Sequence, residues 1–207
     1  GLSLNWIGVI KPLVIETCRE VRTNLLPGDV MDIKRYIKVK KIPGGNKADS
    51  SFIYGVVCSK NVTHKNMQMT IDKPTIMLLS CAFEFQRDED TLSVFDTLQL
   101  QEYEYLKNVV AKIKNFCPSI ILVQKSVSRV ALDMLHELGI VVAVNIKPVI
   151  MEKLARSTNA TILYSLDQLS FDVRLGTCGK FYVRSYSLPD GCKKTLMYFD
   201  QCDPAAG

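Results

Sequence analysis

The chain has 207 residues, 47% hydrophobic and 23% charged, enough for one large domain or a domain with an appendage and too apolar for disorder. Its net charge of +5 permits an acidic partner or an anionic membrane surface without demanding either. The longest apolar runs, SIILV at 119–123 and GIVVAV at 139–144, fall far short of the ~20 residues a membrane-spanning helix needs, and no signal peptide opens the sequence.

The first segment, LNWIGVIKPLVIETCREVR at 4–22, carries Leu4, Ile7, Ile10, Val14 and Cys18 at helical spacing. Pro12 is expected to kink that helix or to mark its true start, and LPGD at 26–29 to end it. Residues 35–42 and 52–58, rich in Ile, Val and Tyr, predict two strands joined by a Gly44–Gly45 turn. TIMLLSCAF at 75–83 reads as a buried strand because it is continuously apolar. After a polar, irregular stretch at 86–98, QLQEYEYLKNVVAKIKNF predicts a helix that buries Tyr103, Leu106, Val109, Val110 and Ile113.

Pro118 stops that helix and SIILV follows as a strand. The 126–138 segment predicts a second helix with Val127, Val130, Ala131, Met134, Leu135 and Leu138 inward, capped by Gly139 and followed by the strand IVVAV. A helix at 148–157 leads through Asn159 to the strand-like TILY. Strands at 179–186 and 194–200 then flank the reversal LPDGC. The order is that of an α/β protein with central parallel β-α-β units between β-rich segments.

Candidate chemistry is sparse. The Lys40–Asn61 stretch has the composition of a phosphate loop, with Gly44, Gly45, Lys47, Ser50 and Ser51. It lacks the GxxxxGK[ST] spacing, and a strand rather than a helix is expected next, so no helix N-terminus would face a phosphate. GTCGK at 176–180 fails in the same way. His64 and His136 lie far apart in the sequence and predict no metal site, while Asp88, Glu89 and Asp90 read as a solvated loop tip. Seven cysteines, an odd number with no CxxC and mostly in apolar runs, predict reduced and partly buried thiols of a cytosolic protein, without zinc.

Two surface features remain. Lys34, Arg35, Lys38, Lys40, Lys41 and Lys47 form a local basic run, which is either a solvated face or an anionic-surface contact. Leu132 and Tyr105 fall off the apolar stripes of their helices, and so either rim a shallow partner groove or pack under neighbouring loops.

The motifs IKVKKIPGGNKADSSFIYGVVCSKNVTHKNM, ARSTNATI, LGTCGKFYV and the closing Cys202-Asp203-Pro204 resemble the apical domain of group II chaperonins, from about residue 35 to the end. GLSLNWIGVIKPLV, VMDIKRYIKVKKIPGG, LQEYEYLKNVV, VSRVALDML and TLMYFDQC resemble more closely the chaperonin-like domain of the phosphatidylinositol 3-phosphate 5-kinase family. The resemblance implies a GroEL apical-like fold over 35–207, and an N-terminal helix and linker over 1–34 akin to part of the chaperonin intermediate domain. It also implies a piece of a larger lipid kinase that makes phosphatidylinositol 3,5-bisphosphate on the cytosolic face of endosomal and vacuolar membranes.

On that resemblance the segment is a non-catalytic docking domain. It needs no cofactor of its own; ATP and magnesium belong to the kinase's catalytic domain. Its expected partners are the complex's scaffold protein and the associated lipid phosphatase, with an anionic membrane surface as a further contact, and nucleic acid is not expected. By analogy with the client groove of chaperonins, Tyr105, Lys112, Arg129, Leu132 and His136 are the expected exposed contacts. The alternatives are a client-binding chaperonin subunit, which the short segment between Phe85 and Gln101 disfavours, and a basic lipid-binding module.

Overall fold

A computed structural model describes residues 4–23, 36–44, 46–85, 95–170 and 173–202. The chain divides into two compact units. One comprises Gly1–Tyr54 with Ser185–Lys194, and the other Gly55–Arg184 with Thr195–Gly207. The boundary at 34/35 drawn from the resemblance lies outside the described residues, as do LPGD and the acids at 88–90.

In the first unit, helix α1 (Leu4–Thr23) runs unbroken through Pro12, so that proline neither starts nor ends it. Residues 37–43 form neither helix nor strand and join no sheet, which corrects the strand expected there. A three-residue 3₁₀ turn, Lys47–Asp49, follows the glycines. Its leading amides are already satisfied by its own side chains. Asn46 N–H donates to Asp49 Oδ2 at 2.9 Å, and Ala48 N–H to Asn46 Oδ1 at 3.5 Å. An anion there would meet the Asp49 carboxylate, so the phosphate-loop reading fails on local chemistry as well as on spacing.

The second unit is built on a parallel sheet ordered β5-β4-β3-β6, where β3 is Thr75–Leu79, β4 Ile120–Val123, β5 Val141–Ala143 and β6 Ile162–Leu163. Ile76 pairs with Ile120 and Ile120 with Val141, and Leu78 pairs with Ile162 on the other side of β3. These strands are apolar at nearly every position and buried on both faces. Helices α2 (Phe95–Phe116) and α3 (Arg129–Glu137) pack on each other, and α4 (Pro148–Thr158) packs on β3 and β6.

Local chemistry sets the helix ends. Ser128 Oγ accepts from Ala131 N–H at 3.2 Å, and Gly139 closes α3 at φ +73. Asn159 ends α4 in the left-handed region at φ 56. Leu106, Val109, Val110 and Ile113 are buried on α2 as expected, but Tyr103 is 48% exposed.

An antiparallel sheet ordered β1-β9-β8-β2 completes the fold, with β1 Gly55–Cys58, β2 Thr70–Asp72, β8 Lys180–Ser187 and β9 Lys193–Asp200. Strand β1 pairs with β9, Val56 opposite Phe199, and so is no return strand for residues 35–42. The 188–192 reversal closes with Leu188 N–H to Cys192 O at 2.8 Å. A short strand β7 (Gly176–Thr177) runs antiparallel to the start of β3. All seven cysteines are free: Cys58, Cys178 and Cys202 are buried, Cys18 and Cys81 half-buried, and Cys117 and Cys192 exposed on turns.

Candidate functional site

The parallel sheet has one topological switch point among the described strands. The chain steps from β3 to β4 to β5 in one direction and then returns to β6 on the opposite side of β3. Loops leaving the carboxyl ends of two such strands diverge, and the crevice between them is where open α/β sheets bind ligands. Here the loops are 80–85 and 164–167, and they enclose a cleft of about 270 Å³ with Tyr105 of α2 as a third wall.

Backbone bonds fix the first loop. Ser80 N–H donates to Leu163 O at 2.7 Å, Phe83 N–H to Ser126 O at 2.9 Å, and Ser128 N–H to Phe83 O at 2.9 Å. Ser80 Oγ donates to Gln124 Oε1 at 2.6 Å, tying the exits of β3 and β4. The second loop is held by its own side chains. Tyr164 N–H donates to Gln168 Oε1 at 2.8 Å, and Ser165 Oγ to Asp167 Oδ2 at 3.0 Å. Phe85 meets Tyr105 edge-on, with ring centroids 5.5 Å apart. Burial pushes the Tyr105 hydroxyl above its ordinary range, reinforced by the Asp167 carboxylate and Cys81. Burial likewise raises the Cys81 thiol, opposed in part by Lys125.

The sequence-predicted contacts do not form one patch. Tyr105 belongs to the cleft beside β6. His136 is half-buried and stacks on His64, ring centroids 4.5 Å apart, so the two histidines are neighbours. His64 lies in the loop that Thr63 N–H binds to Val142 O of β5, on the opposite flank of the sheet from β6. Its Nδ1 accepts from Asn66 N–H at 3.2 Å, and no group of three metal-ligating side chains occurs among the described residues.

Leu132 is half-buried and packed on the core, which corrects its expected exposure, whereas Val130 and Leu138 are the exposed apolar residues near it. Lys112 and Arg129 are exposed as expected. Of the basic run, Lys38, Lys40, Lys41 and Lys47 are exposed in the first unit, and Lys34 and Arg35 lie outside the described residues. Sequence reasoning missed the cleft, although the apolar strand run ending in SCAFEF and the acid-bearing SLDQL were both in view.

Similarity to known proteins accords with this architecture. Residues 8–203 match the TCP-1/cpn60 chaperonin family. The chain is 42% identical over 209 residues to a Homo sapiens 1-phosphatidylinositol 3-phosphate 5-kinase, covering 100% of this chain and 10% of that protein. It is 33% identical over 185 residues to T-complex protein 1 subunit gamma of Thalassiosira weissflogii, covering 85% of this chain and 32% of that protein. An open-state group II chaperonin monomer from Methanococcoides burtonii superposes with a TM-score of 0.64 at 24% identity, over 93% of this chain and 42% of the other. The fold is thus that of the chaperonin apical domain, and the sequence is homologous over its whole length to a region of the lipid kinases. The chain belongs to the TCP-1/cpn60 chaperonin family.

Proposed function

We propose that this chain is a protein-docking domain of a phosphatidylinositol 3-phosphate 5-kinase, binding the scaffold that also carries the opposing lipid phosphatase. The observation that carries the reading is 42% identity across the whole chain to a kinase of which it matches 10%. ATP and magnesium chemistry then belongs to the kinase's catalytic domain, and this segment supplies contact surface. Work at the cytosolic face of endosomal membranes fits the described helices, none of which is long and apolar enough to cross a bilayer.

The exposed surface of α2 and α3 offers Lys112 on the one helix and Arg129 on the other for contact. Lys112→Glu with Arg129→Glu is expected to weaken scaffold pull-down while thermal unfolding stays unchanged. Unaltered pull-down would count against that face. Leu132→Asp is unsuited to this test because it places a carboxylate against the core.

A second reading has one supporting observation, the exposure of Lys38, Lys41 and Lys47 in the first unit. Contact with an anionic bilayer through these lysines would show as liposome flotation that is lost at high salt. Flotation indifferent to salt would reject it.

A further inference from the structure

We propose that the cleft at the carboxyl ends of β3 and β6 receives a cationic side chain, arginine or lysine, presented by a protein partner. This deepens the docking reading and rests on it, naming the chemistry the partner must bring. At about 270 Å³ the cleft lies just below the roughly 300–1,000 Å³ of sites that hold whole small ligands, and it suits one long side chain.

The two charged residues lining it, Glu84 and Asp167, are both acids, in a chain whose net charge is +5. An anionic group entering would meet both carboxylates. Phe85, Tyr105 and Tyr164 line it with aromatic surface, and Phe85 meets Tyr105 edge-to-face. Aromatic rings with nearby carboxylates attract a cation through both the ring quadrupole and direct charge.

Lys125 acts on the Cys81 thiol, but among the described residues the lining itself carries two carboxylates and no cation. Tyr164 is 69% exposed, so its ring stands at the mouth where an arriving chain would first touch. Leu166 is 8% exposed and Cys81 half-buried, so they make an apolar floor for the methylene stem of the guest. The position is also the one that the sheet's topology singles out.

The test is a titration of the isotopically labelled chain with the capped peptide Gly-Ser-Arg-Ser-Gly, followed by amide resonance shifts, alongside the same peptide carrying citrulline. Citrulline keeps the shape of arginine and removes its charge. Saturable shifts are expected at residues 81–85, 105 and 164–167, with the citrulline peptide at least about tenfold weaker.

Glu84→Gln and Asp167→Asn are each expected to weaken arginine binding. Because Asp167 also accepts from Ser165, the Glu84 variant on the opposite loop remains informative if the 164–167 loop is disturbed. Equal binding of the two peptides, shifts confined to other surfaces, or no shift at all would each overturn the proposal. Scaffold binding that fails while the peptide still binds would overturn the docking reading and leave the cleft assignment standing.

Discussion

Gly176→Ala adds a single methyl group at a buried position in β7. Its Cβ would meet the Thr158 hydroxyl oxygen, and would lie 2.8 Å from both Thr158 Cβ and Ala160 Cβ. Thr158 is itself buried and donates to Leu154 O at 2.7 Å, so it can yield only by giving up that bond or by moving the end of α4. Overpacking of this kind costs about 1–3 kcal/mol. Loss of the hydroxyl bond adds ~1 kcal/mol, for a total of about 2–4 kcal/mol.

Gly139→Ala is the matched control: nothing lies within 4 Å of its Cβ, and its φ of +73 imposes only backbone strain of ~1 kcal/mol. With a urea m-value near the top of the usual range, ~3 kcal/mol/M, the unfolding midpoint should fall by about 1 M for Gly176→Ala and by about 0.3 M for Gly139→Ala. A Gly176 variant as stable as the Gly139 variant would refute the packing of β7 against α4.

Other outcomes follow from the same geometry. Leu122→Ala, at a site with no exposed surface in β4, should cost about 2–5 kcal/mol, read from the urea midpoint. Ser128→Ala removes the cap of α3 and should cost ~1 kcal/mol, with Ser128→Asp restoring most of it. In native alkylation followed by peptide mapping, Cys117 and Cys192 should react first and Cys178 last. A hydrogen bond with Cys202 and burial push the Cys178 thiol above its ordinary range. Since its folded pKa is raised, that thiol favours the folded state below the ordinary cysteine pKa, and the contribution is lost as pH rises further. Cys178 should therefore stay protected at pH 9, and fast labelling there would refute the pairing.

What the sequence showed and hid has physical causes. The parallel β-α-β core was legible because β3, β4 and β5 are continuously apolar, and because Gly139 and Asn159 mark helix ends where backbone geometry demands them, whereas the Ser128 cap starts α3 three residues later than the 126–138 segment implied. Tyr103 misled because α2, at 22 residues, is about 33 Å long, whereas a four-residue strand spans about 13 Å. The apolar spacing at Tyr103 continues beyond the buried stretch that begins at Leu106.

Leu132 turned inward, on the same side as His136 one helical turn later. That side of α3 meets the loop carrying His64, a contact over seventy residues long in sequence that no local pattern encodes. The run IKVKKI has strand propensity yet joins no sheet, because β1 found its partner in β9 instead. The cleft stayed hidden for a related reason: Glu84, Tyr105 and Asp167 come from three elements that only the switch in strand order brings together.

The most direct measurement is equilibrium binding of this chain, on its own and folded, to the purified scaffold protein of the kinase complex immobilised on a sensor surface. A docking domain gives saturable, reversible binding that Lys112→Glu with Arg129→Glu weakens. A well-folded chain that fails to bind the scaffold at any concentration would contradict the account.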